Sequence, residues 1–136
     1  MSTAALRLEG RRCYSREVAA FVAELAGRAG LSRGQTYRLR LAADELTTNA
    51  VVHGYRGGAG AIELAGCVAE EWVRLLIDDE AAPFDPSGHD PAPRLAAGPA
   101  AGPVGGYGLL LVRHSVDDFA YEYVDGRNRC TLTVRR

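Results

Sequence analysis

The chain has 136 residues, of which 47% are hydrophobic and 24% charged, and its formal net charge is −1. That is the length of one domain with a single good core and the composition of a soluble globular protein. It lacks the basic footprint that DNA, RNA or an anionic membrane would require, so direct nucleic-acid and membrane binding are not expected.

All 16 basic residues are arginine, which excludes the lysine of a P-loop and the strand lysine of eukaryotic-type protein kinases. Any ATP chemistry must use another architecture. Cys13, Cys67 and Cys130 are odd in number, widely spaced and without a C-x-x-C, which suits reduced thiols better than a disulfide framework or a zinc site. The first residues carry no apolar run, and no stretch approaches the roughly 18 apolar residues of a membrane span. Neither export nor membrane insertion is expected.

Leu6 and Leu8 alternate with Arg7 and Glu9 and predict a short first strand. From Ser15, read as an N-cap, Val18, Phe21, Val22, Leu25 and Ala29 recur at helical spacing until Gly30 ends the pattern. Ser32 with Gln35 makes a capping box for a second helix running to about His53, where Gly54 stops it. Leu39, Ala43, Leu46 and Ala50 form its apolar stripe. Glu45 and Asn49, at i and i+4, share another face of it.

After Gly57-Gly58-Ala59-Gly60 the period changes to two. Ile62, Leu64 and Gly66, then Val73, Leu75 and Ile77, predict two antiparallel strands joined at Glu70-Glu71. Residues 79–108 hold all six prolines with little periodicity, as a lid, a binding loop or disorder would. Leu109 to Ser115 predicts a short helix. A hairpin then follows, with strands Phe119 to Val124 and Cys130 to Val134 about an Asp125-Gly126-Arg127-Asn128 turn. The order β-α-α-β-β-loop-α-β-β predicts an α+β two-layer sandwich, with helices on one face of a mostly antiparallel sheet.

Three segments could carry chemistry. An acid and an amide one turn apart on an otherwise apolar helix offer hard oxygen ligands, few in number, as a hydrated Mg²⁺ with attached phosphates prefers. In Asp78-Asp79-Glu80-Ala81-Ala82-Pro83-Phe84-Asp85-Pro86 a carboxylate stands where a strand opens into a loop, placed to accept a hydrogen bond from an exocyclic amine. In Gly102-Pro103-Val104-Gly105-Gly106-Tyr107-Gly108, glycines before a helix let backbone N–H groups approach phosphate oxygens. Each also has a plainer reading: solvent-facing side chains, a turn-forming aspartate and a tight turn.

In this order the segments resemble the N, G1 and G2 boxes of the GHKL ATPase superfamily. Within it they resemble the small bacterial anti-sigma-factor serine/threonine kinases. The likeness runs from about Arg12 to Arg135 and includes Pro83-Phe84-Asp85-Pro86 and Asp117-Asp118. It implies the Bergerat-type ATP-binding fold over 1–136 as a single cytoplasmic domain. The implied activity is ATP- and Mg²⁺-dependent phosphorylation of a STAS-domain anti-sigma antagonist, with sequestration of a sigma factor and a homodimer as further implications.

On the same resemblance, Asn49 is the Mg²⁺ ligand and Glu45 the general base, or the residue that orients the incoming hydroxyl. Asp79 bonds the adenine amino group, flanked by Ala81 and Phe84. Gly105, Gly106, Tyr107, Gly108 and Leu109 close over the phosphates. His53 is either on the phosphate side or simply a helix-terminal histidine beside the C-terminal dipole, and Arg113 either reaches a phosphate or caps the short helix, the cap being the favoured reading. Two positions depart from the family pattern. Ala81 replaces a glycine, and Val104 stands where an arginine is usual near the terminal phosphate. The alternative they support is a nucleotide-binding regulator that holds partners with little or no catalysis.

Overall fold

The structure is a computed structural model describing residues 2–9, 14–56, 58–85 and 106–136, the side chains of residues 106–109 excepted. Five strands form one antiparallel sheet in the order β1-β2-β3-β5-β4. They are β1 (Ser2–Leu8), β2 (Ile62–Val68), β3 (Trp72–Asp79), β4 (Asp118–Val124) and β5 (Arg127–Arg135). Helices α1 (Ser15–Ala29), α2 (Arg33–Asn49) and α3 (Gly106–Ser115) complete the fold, α2 packing against both of the others. This is the α+β two-layer arrangement expected from the period changes along the chain.

The core lies between sheet and helices. Inward-facing Leu64, Leu75, Ile77, Leu132 and Val134 meet Val18, Val22 and Leu25 of α1 and Leu39, Ala42, Ala43 and Leu46 of α2, all buried. Burying each Leu or Val contributes about 1.5–3 kcal/mol. A glycine in the middle of β2 would ordinarily weaken it, but a Cβ at Gly66 would stand 2.6 Å from Leu25 Cδ1. Gly66 is thus the notch that admits α1 to the sheet.

The helix ends differ in how local their signals are. Gly30 closes α1 in the left-handed region (φ 68), and Ser32 and Gln35 form the reciprocal capping box in full. Ser15, however, is the first residue of α1 rather than its N-cap. Tyr14 holds that position with its ring in the core, while Ser15 Oγ donates to Asp44 Oδ1 of α2 at 2.6 Å. The hydroxyl expected to cap its own helix ties it to the next one.

Beyond Asn49 the second helix continues to Gly54, as the spacing predicts, but widens into a π-helical turn over Ala50–Gly54. Tyr55 N–H donates to Ala50 O at 2.8 Å, an i→i−5 bond. The cause lies in the Tyr55 hydroxyl, which donates to Ala61 O (2.5 Å) and accepts from Glu80 N (2.7 Å), pinning the helix end to the start of β2 and the end of β3. Gly60 makes room for that ring, since a Cβ there would fall 2.2 Å from Tyr55 Cε1. Gly54 is therefore no left-handed stop; the positive φ comes later, at Arg56 (φ 53).

The final hairpin is tighter than expected. Only Asp125 (φ 53) and Gly126 (φ 74) turn, in the left-handed pair that suits a two-residue connection. Arg127 and Asn128, read from sequence as turn residues, belong to β5, with Asn128 in register with Asp79.

Candidate functional site

Three parts of the chain make up the site: the loop after β3 meets the C-terminal end of α2, and α3 packs against the same helix. The first is the edge of α2 itself. Glu45 and Asn49 are half-buried one turn apart, and among the described residues neither side chain has a hydrogen-bond partner. Their neighbours are engaged: Asp44 accepts from Ser15 (2.6 Å), and Thr47 Oγ1 donates to Asp44 O (3.0 Å). Burial raises the pKa of Glu45 above the usual carboxylate value, the Asp44 charge pushes the same way, and His53 opposes both. The Glu45 carboxyl thus holds a proton more readily than a solvated one.

The second part is the loop after β3. Asp78 and Asp79 are adjacent, so they fall on opposite faces of the strand. Asp78 faces away from the helices and forms a two-point ion pair with Arg129, through Nε and Nη2, both at 2.9 Å. Asp79 faces the helices. Its Oδ1 accepts from Asn128 Nδ2 (2.8 Å) and from Ala81 N (3.0 Å). Among the described residues no donor reaches Oδ2, which leaves that oxygen able to accept from a ligand. Burial raises the Asp79 pKa, against the lowering effect of these two bonds. Beside it, burial pushes the Cys130 thiol up to about 12, so this thiol stays protonated. Cys67 and Cys130 are both free thiols.

Two contacts join the first part to the second. The His53 ring stacks on the Phe84 ring, with centroids 5.9 Å apart and planes 14° from parallel. The Ala81 methyl lies against Gly54, where a Cβ would be only 3.2 Å away. Ala81 is buried, so the alanine that replaces the usual glycine finds its space under the helix end.

The third part is α3, which starts at Gly106, three residues before the expected Leu109. Gly106, Tyr107, Gly108 and Leu109 are therefore in its first turn rather than in a preceding loop. Early residues of a helix need no intrahelical partner for their N–H groups, which offsets the poor helix propensity of glycine there. Gly105 and Val104 lie outside the described residues, as does Cys13. Arg113 sits exposed in the last turn of α3, where its charge complements the helix dipole as a cap would.

Sequence reasoning missed Asn128. Its carboxamide is buried and spans the whole loop, donating to Asp79, Ala81 O (3.2 Å) and Ala82 O (3.0 Å), and accepting from Phe84 N (2.9 Å) and Tyr121 Oη (2.5 Å). The signal that could have found it was its register with Asp79, which exists only once β3 and β5 are paired.

An antiparallel sheet backed by a helix with an unpartnered carboxylate–carboxamide edge among the described residues, beside a strand-end aspartate with one oxygen free of donors, is an arrangement that suits an ATPase-type nucleotide domain. The chain belongs to the histidine kinase-like ATPase domain family, whose model matches residues 10–134. It is 37% identical over 98 residues to the serine/threonine-protein kinase BtrW of Bordetella bronchiseptica, covering 71% of this chain and 68% of that protein. The resemblance to GHKL ATPases of the bacterial serine/threonine kinase type is thereby borne out.

Among solved structures, the RsbU and RsbW domains of Rv1364c from Mycobacterium tuberculosis superpose on 99% of this chain with a TM-score of 0.69 at 21% identity. That likeness bears out the fold. The chain spans only about a third (32%) of that longer protein. Among the described residues no helix is long and apolar enough to cross a membrane.

Proposed function

We propose that residues 1–136 act as one ATP-binding domain, a protein serine/threonine kinase working in the cytoplasm within a partner-switching system. Its substrate is a STAS-domain anti-sigma antagonist, and it also holds a sigma factor. Family membership and the identity to a named serine/threonine kinase support the activity class. The observation that carries the reading is the half-buried pair Glu45 and Asn49, polar, one turn apart and without partners among the described residues.

The donor chemistry fits a hard cation. Among the described residues there is no group of three or more His, Cys, Asp or Glu that could hold a metal by protein ligands alone. Mg²⁺ does not need one, because it keeps waters and takes its remaining ligands from phosphates. Asn49 Oδ1 would hold it. When bound, the cation neutralises phosphate charge, the main electrostatic requirement of phosphoryl transfer.

The chain's own residues supply the rest. Asp79 Oδ2 accepts a hydrogen bond from the base amine, with the His53–Phe84 stack closing the helix end over that loop. Backbone N–H groups in the first turn of α3 face the phosphate end. Glu45 orients the incoming serine or threonine hydroxyl and takes up its proton as that oxygen attacks. A raised carboxyl pKa suits this role, since a base works best nearer the operating pH.

The test is incubation with Mg²⁺, radiolabelled ATP and a STAS-domain antagonist. Label should appear on the antagonist's serine or threonine, and Glu45→Ala should abolish it while keeping nucleotide affinity. Binding of ATP with no label at any enzyme concentration would favour the second reading, a nucleotide-dependent partner-holding regulator. Val104, standing where related kinases carry an arginine, favours that second reading.

A further inference from the structure

Asn128 makes more hydrogen bonds than any other described side chain near the site: four go to the segment from Asp79 to Phe84, and the fifth joins it to Tyr121 of β4. Its orientation is fixed by chemistry. Nδ2 faces three acceptors (Asp79 Oδ1, Ala81 O and Ala82 O), while Oδ1 faces two donors (Phe84 N and Tyr121 Oη). A flipped carboxamide would set an oxygen against three oxygens and an amino group against a backbone N–H. The side chain is 3% exposed, so a carboxamide stripped of these bonds would be left buried and unpaired.

The pattern at Asp79 is selective. Both protein bonds fall on Oδ1, one from Asn128 and one from Ala81 N, and Ala81 is itself held by Asn128 through its carbonyl. The carboxylate is thereby locked about its terminal torsion, with Oδ2 left without a donor among the described residues. Phe84, whose ring meets His53, is tied to Asn128 through its backbone N–H. One carboxamide on β5 thus sets both the acceptor and the aromatic edge of the loop.

We propose that Asn128, steadied by Tyr121, is the positioning residue that aims Asp79 Oδ2 at the exocyclic amine of the nucleotide base and so sets the preference for adenine. This rests on the nucleotide-binding reading above. It makes a demand that a merely structural role does not. Loss of Asn128 must weaken binding of a base with the 6-amino group more than binding of one without it.

The experiment measures the affinities of ATP and of purine riboside triphosphate, which lacks that amine, for wild type, Asn128→Asp and Tyr121→Phe. Asn128→Asp keeps the two acceptor contacts and loses the three donor ones. Wild type should prefer ATP, and in Asn128→Asp that preference should fall about tenfold or more, because a site built for an N–H discriminates through its aligned acceptor. Tyr121→Phe, which removes one bond of five, should lower the preference about threefold, and it decides the matter should Asn128→Asp not fold. An equal loss for both nucleotides, or an unchanged ratio in the variants, overturns the proposal while leaving the nucleotide site standing. A wild type that binds neither nucleotide, or both alike, overturns the site reading and this inference together.

Discussion

The two faces of the sheet treat their charges in opposite ways. On the face turned from the helices, Arg7 bonds Glu63, Arg127 bonds the other oxygen of Glu63 (2.6 Å), and Arg129 clasps Asp78 with two bonds. Every carboxylate in that row has a cation, so the row is self-contained and its energetics are those of a partly solvated ion network. On the helix face, Glu45 has no partner among the described residues, and Asp79 has both its bonds on one oxygen. Among the described residues no side-chain oxygen or nitrogen is both buried and without a partner, so the open acceptors on this side stay within reach of solvent and of a ligand. Asp78 and Asp79, neighbours in the chain, fall on either side of that divide.

Variants on the two faces should fail differently. The largest effect is expected at Glu45→Ala, with phosphoryl transfer to the antagonist falling about 10²–10⁴-fold and the affinity for Mg²⁺-ATP holding within about threefold; single-turnover labelling beside equilibrium binding measures both. Loss of binding in step with loss of transfer would assign Glu45 to the nucleotide instead. Asp79→Asn comes next. ATP affinity should drop about 10–100-fold, while purine riboside triphosphate binds nearly as before.

Asp78→Asn sharpens the contrast, since it changes the adjacent residue to the same amide. It breaks the pair with Arg129, whose side chain is 33% exposed against 10% for Asp78. The cost should be about 1–2 kcal/mol in urea unfolding, less than for a fully buried pair because the arginine regains water. The preference for ATP should not change. A shift in that preference would mean that the ion row and the site are coupled through β3, and the two-face distinction would lose its force.

How much of this was legible beforehand follows the same line between local and long-range causes. The capping box at Ser32 and Gln35, the stop at Gly30, the stripe Leu39, Ala43, Leu46 and Ala50, and the one-turn spacing of Glu45 and Asn49 are all written within a few residues, and sequence reading finds them. Ser15 was misassigned because its hydroxyl answers Asp44, 29 residues away. The π turn was invisible because it is imposed by Tyr55 reaching Ala61 and Glu80. Asn128 has turn composition around it and a turn-forming identity. Only the pairing of β5 with β3 shows that it organises a loop 44 to 49 residues earlier in the chain.

The smallest expected effect concerns the cost of keeping Glu45 unpaired. Its folded pKa is raised from 4.5, first by burial and then by Asp44, so between 4.5 and that raised value the native state binds more protons than the unfolded chain. Stability therefore falls as pH rises through this window, and the full penalty persists at neutral pH. Glu45→Gln removes the charge and keeps the shape. Its melting midpoint without nucleotide should lie roughly 1–3 °C above wild type at pH 7.5, with the gap closing at pH 4, where the wild-type carboxyl is largely protonated in both states. The half-exposed position keeps the effect small. A gap of the same size at both pH values would trace the gain to packing or helix propensity. A lower midpoint for Glu45→Gln at pH 7.5 would show that the carboxylate is stabilised by the fold, and that the helix face is as self-contained as the row of ion pairs on the other side of the sheet.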